Sequence, residues 1–288
     1  MQQRAILDDQ GVLRFHGPDA ARFLQGQLSS DVMRLGTQRG QLAGYHNPQG
    51  RAIAVLRLVQ AGPEEILAVL PRELTAPVAN RLARFVLRAK VKITDVSADW
   101  QVSGVSADSA ATTAPRSLRI QVGPDASCWL ELDPADRGAR DAGGAEAPRA
   151  WRRREIAAGL PQIYAATSEE FVAQMLNLDA LDAIAFDKGC YTGQEVIARA
   201  HYRGRVKRRM QRFQSQEPCR LSPGDGGRLS DGRSFKVVQA VPLLDGRSEF
   251  LAVTAVAAAD ADESATADSA AAAALKASAL PLPYTLPE

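Results

Sequence analysis

The residues best suited by type and spacing to do chemistry lie in Lys188-Gly189-Cys190-Tyr191-Thr192-Gly193-Gln194-Glu195. Glycines on both sides of a cysteine permit sharp turns and close backbone approach. Gln194-Glu195-Val196-Ile197-Ala198-Arg199 reads as a helix start with Glu195 in its first turn, so Cys190 falls just before a helix N-terminus. The helix dipole and Lys188 would then both favour thiolate over thiol, which makes Cys190 and Lys188 the candidate catalytic pair. An accessible thiolate serves as nucleophile, metal ligand or redox group. The bland alternative is a cysteine that fills space, as free cysteines often do. No histidine neighbours Cys190 in sequence, so a Cys–His hydrolase has no support.

A second cluster is basic: Arg199, Arg203, Arg205, Lys207, Arg208, Arg209 and Arg212. As an RNA-binding module it would use these side chains on phosphates. Only Tyr202 offers a stacking ring, so a solvated strand face with one or two anion contacts is preferred and direct nucleic-acid binding is not expected. Cys128, Cys190 and Cys219 are too few and too far apart for a disulfide framework or a four-thiolate cluster. His16, His46 and His201 are scattered, and no metal site is expected. A net charge of +2 over 288 residues gives no whole-molecule field for a nucleic acid or a membrane. The start lacks a signal-peptide core and no apolar run approaches a membrane span, so a cytoplasmic address is expected.

The elements that must position Cys190 follow from period and punctuation. Residues 11–16 read as a strand ended by Gly17-Pro18-Asp19, with Asp19 as N-cap of a helix carrying Phe23, Leu24 and Leu28. Asp31 is a candidate cap for a short turn with Val32 and Leu35. Asn47-Pro48-Gln49-Gly50 is a turn signal that makes 42–59 a hairpin. A strand at 65–70, a helix over 71–88 and a half-buried strand at 91–96 follow. The stretch 100–133 is strand-like, 134–149 reads as a surface helix or connector, and 151–159 as a helix closed by Gly159. Residues 177–186 form a compact apolar lead into the cysteine motif. Beyond 205 short strands suggest a small barrel or sandwich, interrupted by Ala-, Asp- and Ser-rich sequence over 257–275.

The cysteine motif, continued by Ala198-Arg199 and Arg203-Gly204, resembles the signature of the YgfZ-type folate-binding proteins, relatives of the glycine-cleavage aminomethyltransferases. Phe23-Leu24-Gln25-Gly26-Gln27-Leu28, Asn47-Pro48-Gln49-Gly50-Arg51, Gly159-Leu160-Pro161, Asn177-Leu178 and Pro281-Leu282-Pro283-Tyr284 are similar to that family in the same order. The resemblance implies an α+β, aminomethyltransferase-like, three-domain ring with a C-terminal β-barrel. Residues 1–95 and 151–204 would form the folate-binding core, 96–150 an inserted ferredoxin-like portion, and 205–288 the barrel. It also implies tetrahydrofolate in a central channel and a role in making or repairing iron–sulfur clusters, including those of tRNA-thiolating enzymes. The expected partners are iron–sulfur proteins and cluster carriers.

On the same resemblance Trp151, Gln10, Tyr191, Gln194, Glu195 and Arg199 are the expected folate contacts, with Trp151 as the pterin slot or, structurally, a core anchor. Two departures stand out. Gln10 replaces an aromatic common in the family, and Ala157 stands where aminomethyltransferases have a pterin-pairing glutamate. The segment after Asn47 also lacks their aspartate, which argues against aminomethyl transfer. A folate-dependent one-carbon transferase or demethylase remains the enzymatic alternative.

Overall fold

The computed structural model describes residues 3–36, 40–106, 117–121, 128–135, 144, 146–256 and 274–287. The chain opens with β1 (Gln3–Ile6), β2 (Gln10–His16), α1 (Ala20–Gln25) and a 3₁₀ turn at Val32–Arg34. β3 (Gln41–His46), β4 (Ala52–Gly62), β5 (Glu65–Pro71), α2 (Arg72–Ala83) and β6 (Lys92–Asp95) follow. The middle holds β7 (Trp100–Ser106), β8 (Leu118–Gln121), β9 (Cys128–Pro134) and α3 (Ala147–Ala157). After an irregular stretch come α4 (Gln194–Arg203), β10 (Arg208–Ser215), β11 (Gly226–Arg228), β12 (Ser234–Pro242), β13 (Ser248–Ala255) and β14 (Ala277–Leu280).

The first sheet, ordered β3-β4-β5-β2-β6, is the middle layer. Its strands bury both faces because side chains alternate and both alternations are apolar. Leu13, Phe15, Ile66, Ala68 and Leu70 pack into one core, while Val12, Leu67 and Val69 pack into another. The first core also takes Leu176, Leu178, Tyr191 and Ile197, so the cysteine segment folds against this sheet. The second lies under the sheet β1-β7-β9-β8. Here β1 leaves its sequence neighbours and pairs with β7, joining the sheet expected from 96–150.

Local expectations hold around the turns and fail at one cap. Asp31 Oδ1 accepts from Met33 N and caps the 3₁₀ turn. Asp19 makes no side-chain cap to α1; its Oδ2 accepts from Lys90 N at 2.7 Å, a long-range tie in place of a local one. Helix α3 starts at Ala147, four residues before Trp151, with Pro148 in its first turn.

The third sheet runs β11-β12-β13-β10-β14 around Phe213, Phe235 and Phe250. Its named strands do not close into a barrel: β11 and β14 are edges, linked beyond their ends by one bridge between Leu229 and Leu275. The low-complexity segment falls at 257–273 outside the described residues, as do 136–143 and 145 of the connector. No helix among the described residues is long and apolar enough to cross a membrane.

Candidate functional site

The chain reaches Cys190 through a tightly pinned segment. Asn177 takes a left-handed conformation (φ 57°) after the 3₁₀ helix Ala173–Leu176, and its Nδ2 donates to Met210 O at 2.8 Å. Ala185 N donates to Ser29 O at 2.9 Å, and Ser29 Oγ donates to Ala183 O at 2.7 Å. Lys188 then donates to three carbonyls, those of Gln25, Leu28 and Ser30, at 2.7, 2.8 and 2.8 Å. An ammonium has three N–H donors, so all are spent. Burial pulls the Lys188 pKa down to about 8, with Asp31 opposing, while the three acceptors favour the charged form.

A second anchor follows the cysteine. The Tyr191 ring is buried in the first core, where burial pushes its phenol up to about 12. Gly193 adopts φ +83°, and a Cβ there would lie 2.5 Å from Asn47 O, so glycine lets the loop rest on the β3–β4 turn. That turn is itself fixed: Asn47 Oδ1 accepts from Gln49 N and Arg51 N, both at 3.0 Å, and Asn47 Nδ2 donates to Glu169 Oε2 at 2.6 Å. Arg81 and Asn47 hold the Glu169 carboxyl below its usual range. Between the anchors Cys190 is an exposed, free thiol, and α4 begins four residues later.

Asp187, just before Lys188, borders a cavity of about 710 Å³ enclosed by the first two sheets, the 180–187 segment and Tyr284. Leu42, Ile120, Leu160 and Phe186 give it apolar walls. Arg57 is its buried cation, donating to Glu155 Oε1 and to Gln162 Oε1, each at 2.8 Å. Gln162 Nε2 donates in turn to Gln10 Oε1 at 3.0 Å. Gln41 also lines the cavity; its Nε2 donates to Asp31 O at 3.0 Å, while its buried Oε1 has no partner. At the border Arg34 donates to Asp31 and Asp187 at 2.9 and 2.8 Å.

None of the six expected folate contacts lines this cavity. Trp151 lies flat on Gly104, where a Cβ would come within 2.1 Å of the ring, and is buried in the second core with its Nε1 unpaired. It is the core anchor of its two readings. Gln10 stands behind Arg57, one hydrogen bond removed through Gln162. Tyr191 is core, Gln194 Oε1 accepts from Tyr191 N at 3.4 Å, and Glu195 and Arg199 are exposed on α4. Lys188 is a clamp rather than a counter-ion for Cys190, because its donors are all used elsewhere. Ala157 faces a different cleft, and Glu155 is the residue that reaches Arg57.

Arg57 is the residue that motif reasoning missed. Its signal is one cation inside the otherwise apolar run 52–59, since arginine is seldom fully buried without a reason. The basic stretch separates into two kinds. Arg209 and Arg212 are structural, bound to Asp179 and Glu249, whereas Arg199 and Arg203 are exposed. Among the described residues no three His, Cys, Asp or Glu side chains gather as a metal site.

Known proteins with this sequence and shape agree with one another. The chain is 34% identical over 218 residues to an uncharacterised protein of Haemophilus influenzae, spanning 75% of each. It is 30% identical over 267 residues to the tRNA-modifying protein YgfZ of Enterobacter sp., covering 84% of this chain and 82% of that one. The protein of that name from Escherichia coli (strain K12 / DH10B) is 29% identical over 268 residues, with the same coverage. No family model matches the chain. Among solved structures, the glycine cleavage system aminomethyltransferase T from Bartonella henselae superposes with a TM-score of 0.61 at 10% identity, over 88% of this chain and 78% of that one. The shape is therefore aminomethyltransferase-like, and by sequence the chain belongs to the YgfZ family.

Proposed function

We propose that this protein is a folate-binding accessory factor for the assembly or repair of iron–sulfur clusters, with Cys190 as its working thiol. Enzymes that thiolate tRNA would be among those it supports, in keeping with the tRNA-modifying name of its relatives. The observation that carries the reading is an exposed cysteine held between two anchors, three residues from the border of a small-molecule-sized cavity. The reading takes the three sheets as three domains of a ring around that cavity, the third as its barrel.

The cavity's own groups fit a folate. Phe186 and the leucines suit a flat ring, the orphaned Gln41 Oε1 suits ring N–H donors, and Arg34 suits an acidic tail. Glu155 and Gln162 fix the Arg57 guanidinium at the cavity surface as a preset donor. When bound, tetrahydrofolate supplies one-carbon chemistry. With no aspartate in the 47–51 turn, aminomethyl transfer is not assigned to this chain.

Calorimetric titration of the full chain with tetrahydrofolate tests the assignment. Saturable binding is expected, weakened about tenfold by Gln41→Leu and by Phe186→Ala, and unchanged by Cys190→Ala. In cells lacking the protein, Cys190→Ala is expected not to restore cluster-enzyme activity. Absence of binding, or binding indifferent to both cavity variants, overturns the folate assignment. Full rescue by Cys190→Ala overturns the role of the thiol.

A second reading, an RNA-contacting surface, has one observation in its favour. Phe186 and His201 stack with ring centroids 3.8 Å apart, beside an exposed Tyr202 and next to Arg199 and Arg203. It requires RNA affinity that falls steeply with salt and is lost in Tyr202→Ala.

A further inference from the structure

On the far side of α3 from the second core lies another cleft, of about 920 Å³, closed by the β12–β13 hairpin. Its floor is apolar, built from Ala150, Ala157, Val241, Pro242 and Leu243. Leu244, at the hairpin tip, also lines it and is 95% exposed. Such an isolated apolar side chain at the lip of a cleft is what a docking surface presents before its partner arrives.

The rim is cationic. Arg149, Arg153, Arg154, Arg212 and Arg247 line the cleft against two carboxylates, Glu146 and Asp245. Beneath them Glu249 is fully buried, accepting from Arg153 Nε at 2.8 Å and from Arg212 Nε and Nη2 at 2.9 and 2.6 Å. One buried carboxylate thus orients two guanidiniums, and five positive charges against three negative leave an excess of two at the cleft. Arg153 meets Glu249 through Nε alone, and its side chain is 57% exposed, so its terminal nitrogens face outward as a preset fork.

We infer that this cleft docks an acidic segment of a partner protein, with an apolar side chain on the floor beside Leu244 and flanking carboxylates on the arginines. Charge complementarity fixes the sign of the partner. The apolar floor fixes its class, because no aromatic residue lines the cleft and a nucleic-acid strand would find no ring to stack on. The cleft shares no lining residue with the cavity below Cys190, so a docked partner leaves the thiol and that cavity accessible. The inference goes beyond the proposed folate role and does not depend on it.

The test uses fluorescence anisotropy on the full chain. The probe is a fluorescein-labelled peptide of about twelve residues, glutamates flanking two central leucines. A lysine-for-glutamate peptide, an all-glutamate peptide and a single-stranded RNA of equal length are its controls. Saturable binding of the leucine-containing acidic peptide is expected, weakened about tenfold by the double variant Arg149→Glu/Arg247→Glu and severalfold by Leu244→Ser. Leu244 and Arg149 are exposed, and thermal melts of the variants separate lost binding from lost folding. No binding by the wild type, indifference to both variants in the folded protein, or tighter binding of the RNA each overturns the inference. Tetrahydrofolate titration of the same variants is expected to match the wild type.

Discussion

Two buried arginine–carboxylate pairs tie distant parts of this chain together, and they differ in what surrounds them. Arg209 grips Asp179 with both terminal nitrogens, at 3.0 and 2.9 Å, and adds Gln174 O at 3.1 Å. Both side chains are 4% exposed, and the pair fastens β10 to the segment that leads to Cys190. Arg57 is almost as buried but divides its donors between Glu155 and Gln162, and it borders the 710 Å³ cavity. The first is a saturated rivet. The second is a charge held next to space that a ligand can fill. A buried ion pair alone is therefore a poor guide to function; the neighbouring cavity distinguishes the two.

Breaking the rivet is expected to have the largest effect. Asp179→Ala leaves a buried guanidinium without its carboxylate and costs about 3–5 kcal/mol in urea unfolding. The double variant Asp179→Leu/Arg209→Met removes both charges and is expected to recover most of that loss. If Asp179→Ala costs under about 1 kcal/mol, the pair is not what fastens β10.

Arg57→Met is expected to cost less, about 1–3 kcal/mol, because water in the cavity can solvate the stranded Glu155. Its signature is functional: tetrahydrofolate affinity is expected to fall about tenfold, whereas Asp179→Ala, measured where it is still folded, leaves affinity unchanged. Equal effects of the two variants on binding would erase the distinction between rivet and site.

What the sequence makes legible here is local. Turn chemistry at Asn47-Pro48-Gln49-Gly50 marks the hairpin, and Gly193 followed by Gln194 marks the start of α4. The glycine-flanked Cys190 is exposed, as a loop cysteine beside a helix start should be. What escapes is long-range. Lys188 meets carbonyls roughly 160 positions earlier, and Arg57 meets Glu155 across 98 positions; no period or spacing encodes either meeting. Trp151 shows the same limit. Its place in a helix is legible, but the face it turns to Gly104 depends on where β7 lies.

His46 sharpens the comparison as a buried polar group with no partner at all. It is completely buried, with neither ring nitrogen hydrogen-bonded through its side chain, and burial holds its pKa at about 3 against an ordinary 6.5. Above pH 6.5 it is neutral whether folded or unfolded and the penalty is absent. As pH falls from 6.5 toward 3 the unfolded chain takes up a proton that the folded chain refuses, so stability drops by up to about 1.4 kcal/mol per pH unit. Urea midpoints at pH 7 and pH 5 are expected to lie closer together in His46→Gln than in the wild type. Equal spacing would mean that the imidazole finds a partner or protonates in the folded state.

The smallest effect is expected where the same chemistry reaches solvent. Arg81 and Glu169 pair at 2.5 Å, but their side chains are 40% and 37% exposed. Glu169→Gln keeps an acceptor for Asn47 and is expected to cost under about 1 kcal/mol. Its carboxyl is held below the ordinary 4.5, chiefly by the Arg81 hydrogen bond, so its contribution is present above pH 4.5 and lost as pH falls through the lowered folded value. The variant is expected to lose that part of the acid response and to exchange the Gly50 and Arg51 amides faster, since both belong to the turn that Asn47 organises. A loss above about 2 kcal/mol would show that the turn under Gly193 depends on an exposed pair, and burial would no longer rank these three arginines.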